Sequence, residues 1–263
     1  DEDSLRGASC TGAGVLQEKN ERLGDTLNAR TFAMAEKAGL PLMTICSTCQ
    51  GVMAQANERL TADPEYLESI NEDLREEGLE YKGTVEPKHL LWVIAEDLGI
   101  EFLESKIVRK LDGLKLAPFY GCYIVRPSKA LGLKENPGRK EALEAVIEAV
   151  GGEVVDFPGK TLCCGFPILT INPTNSVNMV ANHTIDAKDR GADAMVTPCP
   201  LCHLNLDGYQ PNASSLRKRD IDLPIIHLPQ LVGLSLGIKP EKMRLNKHIV
   251  STKKILSELV VSP

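Results

Sequence analysis

The eight cysteines of this chain fall into two copies of one pattern, offset by 153 residues. The fuller copy holds Cys122, the pair Cys163-Cys164 followed by Gly165, and Cys199-Pro-Leu-Cys202. The other holds Cys10-Thr11-Gly12 and Cys46-Ser-Thr-Cys49; adding 153 to 10, 46 and 49 gives 163, 199 and 202. Thr11 stands where the fuller copy has Cys164, and the counterpart of Cys122 would fall upstream of Asp1. An internal repeat whose fixed points are thiols restricts the chain to two similar modules, each organised around metal or iron–sulfur chemistry.

A length of 263 residues suits one large domain or two of ordinary size, and the duplication favours two. The expected division is 1–114 for the first repeat, degenerate and short of its upstream part, and 115–263 for the second, complete repeat with a basic tail. A hydrophobic share of 43% with 25% charged residues is that of a globular chain, and 4% aromatics predicts aliphatic cores. The net charge of −6 argues against a nucleic-acid binder. No stretch of about 18 apolar residues runs free of charge, so no membrane-spanning helix is expected. Eight cysteines could also make four disulfides. That suits short secreted domains, whereas CxxC pairs in a chain able to bury its own core point to metal or redox sites.

The segments between the thiols alternate between helix and strand. Leu23, Leu27, Phe32, Met34 and Ala35 mark a helix ended by Gly39, and residues 40–45 form a short apolar strand leading to Cys46. The second copy repeats this: Val177 to Arg190 reads as helix, Gly191 as its stop, and Ala194 to Thr197 as the strand before Cys199. A helix is expected after each CxxC, which puts the thiols at a helix N-terminus. There, backbone N–H groups favour anionic sulfur. Asp63-Pro64 reads as an N-cap with proline at N1, and Glu86-Pro87 as the opening of a further helix carrying Leu90, Leu91, Val93, Ile94 and Leu98. Residues 116–122 read as a strand and turn delivering Cys122, Asn136 opens a helix with Leu143, Val146, Ile147 and Val150 inward, and Val154-Val155 starts a strand. The expected fold class is therefore α/β, two tandem repeated domains with mostly parallel sheets and metal sites at strand ends.

The five thiols of the fuller copy, spaced Cys-x40-Cys-Cys-x34-Cys-x2-Cys, outnumber the four of tetrahedral zinc or of an ordinary 4Fe–4S cluster. Either one of Cys163 and Cys164 is spare, or the group they hold is a larger, asymmetric cluster.

The runs Tyr120-Gly-Cys-Tyr-Ile-Val-Arg-Pro127, Cys163-Cys-Gly165, Thr197-Pro-Cys-Pro-Leu-Cys-His-Leu-Asn205 and Leu223 to Gly237 resemble the cysteine-rich CCG domain of the heterodisulfide reductase B subunit and its relatives. That family carries tandem CCG domains and includes subunits of E-type succinate:quinone and fumarate reductases. The resemblance implies an iron–sulfur cluster of the 4Fe–4S type, noncubane in the heterodisulfide reductases, on Cys122, Cys163, Cys164, Cys199 and Cys202. The first repeat departs from the pattern at Thr11. With an upstream cysteine restored, Cys10, Cys46 and Cys49 would complete a four-thiol site suited to zinc or a cubane 4Fe–4S cluster. Two facing noncubane clusters serve heterodisulfide cleavage in that family, so the departure favours the E-type, quinone-linked branch.

On this reading the chain is an oxidoreductase subunit, active only in complex. Its partners are a flavoprotein subunit and a second iron–sulfur subunit, and its acceptor is a quinone or, in the alternative, a disulfide. A non-redox, zinc-stabilised assembly module is the third reading. The sequence carries no dinucleotide fingerprint and no phosphate loop. His203 is either a structural histidine or a group that bonds a sulfur or moves a proton; His89, His183, His227 and His248 have no metal spacing. Arg126 either offsets cluster charge or is an ordinary surface residue. Residues 239–263 hold six Lys/Arg against two Glu, and Ile249, Val250, Ile255, Leu256, Leu259 and Val260 could form one helix face. Docking on a partner or on the protein body is favoured over contact with an anionic membrane. The expected location is cytoplasmic, with peripheral contact on the inner membrane face as its variant. The aliphatic segment 223–237 is expected to wall a quinone pocket.

Overall fold

The computed structural model describes residues 7–12 and 14–261, with side chains through residue 257. The chain packs as two compact units, one of residues 1–90 with 123–137, the other of residues 91–122 with 138–263. Against the boundary expected after residue 114, packing assigns 91–114 to the second unit and 123–137 to the first.

In the first unit, α1 (Val15–Lys19) and α2 (Glu21–Ala38) precede β1 (Leu42–Thr44), α3 (Ser47–Ala62), α4 (Pro64–Leu74) and β2 (Pro87–His89). The Asn20 side chain caps α2 by accepting from the Leu23 amide at 3.1 Å, and the helix stops at Gly39 as its sequence predicts. Its inner face, Ala29, Phe32, Ala33 and Ala35, packs with Leu42, Leu60, Ile70, Leu74 and Tyr81. Asp63 caps α4 by accepting from the amides of Glu65 and Tyr66 at 3.1 and 3.0 Å. Asp25 is fully buried under α3, paired with Arg59 at 2.8 and 2.6 Å and accepting from the Tyr66 hydroxyl at 3.0 Å.

One expectation is corrected here. Pro87 opens a strand, not a helix: Leu42 pairs with Pro87 and Thr44 with His89 in parallel register. Proline at the first residue of a strand costs no ladder bond. The Gln50 amide reinforces the pairing by accepting from Thr44 Oγ1 at 2.9 Å and donating to the Pro87 carbonyl at 2.7 Å. The apolar helical pattern begins only at Leu90, as α5 (Leu90–Trp92), a π-helical stretch (Val93–Gly99) and α6 (Ile100–Lys106).

In the second unit the strands are β3 (Lys115–Pro118), β4 (Glu153–Val154), β5 (Ala194–Thr197) and β6 (Ile225–His227). They form one sheet in the order β4-β3-β5-β6, and every pairing is parallel. The helices are α7 (Ala142–Ala149), α8 (Pro173–Asp189), α9 (Pro200–Gly208), α10 (Gln210–Arg217), α11 (Leu228–Ser235) and α12 (Lys253–Val261). All four residues of β5 are buried, the signature of a central parallel strand covered on both faces. The chain leaves β3 towards β4 on one side and resumes the sheet at β5 on the other. Between β3 and β5 lies the topological switch point, and open parallel sheets place their sites beyond the carboxyl ends of the strands there.

The C-terminal tail docks on this unit. Asp207 of α9 accepts from the amides of Ile249 and Val250 at 2.7 and 3.0 Å, and Val250 and Ile255 are buried. Ile249 is 63% exposed, so the face drawn from sequence is not continuous; Leu259 and Val260 lie outside the residues with described side chains. Segment 223–237 is also core, with Leu223, Ile225, Ile226, Leu228, Leu231 and Leu234 buried. These residues support the sheet, while Leu236 near the end of the segment is exposed.

Candidate metal centres

The carboxyl ends of β3 and β5 deliver Cys122 and Cys199, on the two sides of the switch point. Cys199 is the N-cap of α9, Pro200 occupies its first turn without an N–H, and Cys202 follows within that turn. Cys163 and Cys164 arrive from a loop between two 3-10 turns, Pro158–Thr161 and Phe166–Ile168. All five thiols join in one run of sulfur–sulfur hydrogen bonds: Cys122 with Cys163, Cys163 with Cys164, Cys164 with Cys202, and Cys202 with Cys199. Cys164, Cys199 and Cys202 are buried.

The electrostatics of that run follow from its crowding. Hydrogen bonds from Cys122 and Cys164 hold the Cys163 thiol well below its ordinary range, aided by the Gly165 amide at 3.4 Å. Its neighbour Cys164, sharing its proton with Cys163, is driven up, and Cys202 is driven up by its bonds to Cys164 and Cys199 and by burial. The run thus favours the thiolate at Cys163 and disfavours it at Cys164 and Cys202. Five clustered thiolates, three of them buried, would be prohibitive without a compensating cation. A polynuclear metal group that displaces the shared protons fits this donor set, because thiolate is the ligand form of cysteine.

The loop carrying the adjacent pair is pinned from outside. His183 of α8 donates from Nε2 to the Cys163 carbonyl at 2.9 Å, and Asn205 of α9 donates to the Cys164 carbonyl at 2.7 Å. Gly121, at φ 72°, passes so close to the site that a Cβ there would lie 2.9 Å from Cys202 Sγ. Behind it, Tyr120 is fully buried. Its hydroxyl accepts from the Leu143 amide at 2.9 Å and donates to Glu144, which pairs with Lys160 at 3.0 Å. The amide of Tyr120 bonds the Lys160 carbonyl at 2.8 Å, so the turn carrying Cys122 is tied to α7 and to the strand-to-loop connection. Sequence reasoning missed His183, Asn205 and this tyrosine network. None lies at metal-ligand spacing, and their roles depend on which carbonyls the fold brings beneath them.

His203 adjoins Cys202, and its ring lies 4.6 Å from that of His248 and 6.4 Å from that of His227. Burial, then the neighbouring imidazoles of His248 and His227, push it down to about 4. His203, Asp207 and His248 bring potential ligand atoms within 4.8 Å of one another. However, Gln230 uses its carbonyl oxygen for the His227 amide and donates from Nε2 to His248 Nε2 at 3.0 Å. That places the His248 proton on Nδ1, a donor and not a metal ligand.

In the first unit the same local frame recurs. Cys46 caps α3 with φ −128° and ψ 120°, against −123° and 118° for Cys199 at α9. Cys49 follows in the first turn. Gly12 donates to Cys10 Sγ at 3.4 Å, as Gly165 does to Cys163. Thr11 is buried at the place of Cys164, while Cys10 is exposed, Cys46 buried and Cys49 half-buried. Three thiols and a hydroxyl suit a smaller centre than five thiols do, because Thr oxygen is a poor ligand for soft metals.

Fold and site together define a tandem α/β protein with thiol centres at the carboxyl ends of parallel strands. The model of the CCG cysteine-rich domain matches residues 2–54 and 116–207, and the chain belongs to that family. It is 37% identical to the 8-methylmenaquinol:fumarate reductase membrane anchor subunit of Wolinella succinogenes, over 95% of this chain and 87% of that one. It is 33% identical to the B subunit of the ferredoxin/F420H2-dependent CoB-CoM heterodisulfide reductase of Methanosarcina acetivorans, over 97% of this chain and 85% of that one. These relatives are subunits of oxidoreductase complexes. A crystal structure of a hypothetical protein from Helicobacter pylori shares the fold at a TM-score of 0.72 and 21% identity, covering 89% of this chain and 42% of that one. No helix among the described residues is long and apolar enough to cross a membrane.

Proposed function

We propose that this chain is the iron–sulfur electron-transfer subunit of an E-type succinate:quinone or fumarate reductase, working between a flavoprotein and iron–sulfur subunit pair and quinone. The observation that carries the reading is the unbroken run of five thiols at the switch point, a donor set too large for zinc. A cluster bound there by Cys122, Cys163, Cys164, Cys199 and Cys202 supplies one-electron transfer. The chain's own contribution is to fix the thiolates through His183, Asn205 and the Tyr120 network and to keep water from the buried ones. In the first unit, Cys10, Cys46 and Cys49 hold zinc or a cubane cluster.

The likeness to the fumarate reductase subunit supports the quinone branch, and so does Thr11 at the place of a fifth thiol. Exposed aliphatic residues beside the ligands add to it: Leu162 precedes Cys163, Leu204 lies two residues past Cys202, and both are about half exposed, at 49% and 58%. Disulfide reduction is the second reading, supported by the likeness to the heterodisulfide reductase B subunit. On the quinone reading the subunit works at the cytoplasmic face of the membrane, held there by its partners.

The test uses the anaerobically purified complex. Cys199→Ala is expected to abolish quinone reduction while leaving succinate oxidation by a soluble dye largely intact, because the dye takes electrons upstream. Unimpaired quinone reduction would remove this centre from the path. Turnover of a disulfide in place of quinone would select the second reading.

A further inference from the structure

Tyr123, the residue after Cys122, belongs to the first unit and is clasped there by two glycines. A Cβ on Gly51 would lie 2.5 Å from the Tyr123 carbonyl oxygen and 2.7 Å from its ring Cδ1. A Cβ on Gly14 would lie 2.6 Å from the Tyr123 hydroxyl and 3.4 Å from Cζ. The phenol ring therefore spans from the flank of α3 to Gly14, with both glycines cleared for it. Gly51 is two residues past Cys49, and Gly14 is four past Cys10. The ring thus bridges the two elements that carry the thiols of the first centre, the helix with Cys46 and Cys49 and the exposed loop with Cys10.

We propose that Tyr123 is a positioning residue of the first centre: its ring sets the distance between the Cys10 loop and the CxxC turn of α3. This rests on the reading that Cys10, Cys46 and Cys49 share a metal or cluster. The ring's shape does the work. Among the described residues, the segment is also held by the Gly12 amide on the Cys10 sulfur, the Val15 amide on the Gly12 carbonyl at 3.1 Å and Arg30 on the Gly7 carbonyl at 2.6 Å. A van der Waals brace of this kind, between two backbones that glycine lets approach, fixes a separation without adding a ligand.

The experiment measures alkylation of each cysteine by mass spectrometry, with metal content, in the anaerobically prepared full chain. In the wild type, Cys10, Cys46 and Cys49 are expected to be protected together. Tyr123→Ala should raise Cys10 labelling at least tenfold and lower the metal of the first centre. Cys163, Cys199 and Cys202 should stay protected, which also reports that the fold is intact. Tyr123→Phe, which keeps the ring, should disturb Cys10 far less than Tyr123→Ala. Gly14→Ala forms a double-mutant cycle with Tyr123→Phe: its effect on Cys10 should shrink in the Phe background, where the nearest ring atom is 3.4 Å away. The backbone strain at Gly14, φ +88°, is common to both arms and cancels. Unchanged Cys10 labelling in Tyr123→Ala, or an undiminished Gly14→Ala effect in the Phe background, overturns the role of Tyr123 alone. A wild-type chain with all three thiols freely labelled and no second metal overturns the first centre itself, and the role with it.

Discussion

The Nε2 of His183 lies 2.9 Å from the carbonyl oxygen of Cys163, and the next carbonyl along the chain, that of Cys164, accepts from Asn205 at 2.7 Å. Two helices thus hold consecutive peptide groups of the loop that carries the adjacent thiols. Removing Asn205 leaves a buried acceptor, and removing His183 a part-buried one, without its partner, a cost of up to about 1–3 kcal/mol. His183→Ala and Asn205→Ala are each expected to lower the urea midpoint and to shed iron faster from the second centre. Iron retention equal to wild type in both variants would show that the loop holds its shape unaided.

Gly121→Ala should act on the same centre from the other side. The added methyl meets Cys202 Sγ at 2.9 Å, and the backbone sits at φ 72°. The backbone conformation alone costs roughly 1 kcal/mol for a residue with a Cβ. The expected result is a folded chain with reduced iron in the second centre and unchanged metal in the first. Iron analysis together with EPR distinguishes the two.

Tyr120→Phe removes the hydroxyl shared by Glu144 and the Leu143 amide. A buried N–H and a half-buried carboxylate then lose a partner, so a destabilisation of about 1–3 kcal/mol is expected. Glu144→Gln, which keeps an acceptor for the tyrosine, should cost less. Chemical denaturation followed by circular dichroism measures both, and a larger loss for Glu144→Gln would contradict this order.

The first unit is expected to lose stability in alkali. Burial, then the charge of Asp25 and the hydrogen bond to it, push Tyr66 from its ordinary 10.0 up to about 12, against a lowering by Arg59. The folded value lies above the unfolded one, so this contribution is complete below pH 10 and is lost as pH rises towards 12. Tyr81 is raised by burial in the same direction. Urea midpoints measured across that window should fall in the wild type and fall less steeply in Tyr66→Phe. Parallel curves would exclude Tyr66 from that loss.

Thr11→Cys restores the missing thiol at a buried position whose loop already matches that of Cys164. Thiolate is a far better soft-metal ligand than a hydroxyl. The expected outcome is a changed metal content or EPR signature of the first centre, with the second unaltered. Identical metal analysis and spectra would mean that Thr11 lies outside the coordination shell.

The helices and strands flanking each thiol are legible in the sequence because hydrophobic period, glycine stops and the Asp63-Pro64 cap all agree locally. Pro87 misleads because proline after an acidic residue opens helices and strands alike; only pairing with β1, 45 residues away at Leu42, decides. The five thiols are legible as a set from their spacing. Their supports are not: His183 and Asn205 act on backbone oxygens, and a side chain that bonds a carbonyl leaves no periodic trace. The aliphatic run 223–237 shows its hydrophobicity but not its destination, which is a central sheet and the helix that covers it.

The matched dihedrals at Cys46 and Cys199, and the matched amide-to-sulfur bonds at Cys10 and Cys163, make the shape of each loop independent of how many thiols it presents. A duplicated gene of this kind can lose or regain a coordinating atom by exchanging one side chain, leaving the scaffold of both halves intact while their inorganic contents diverge.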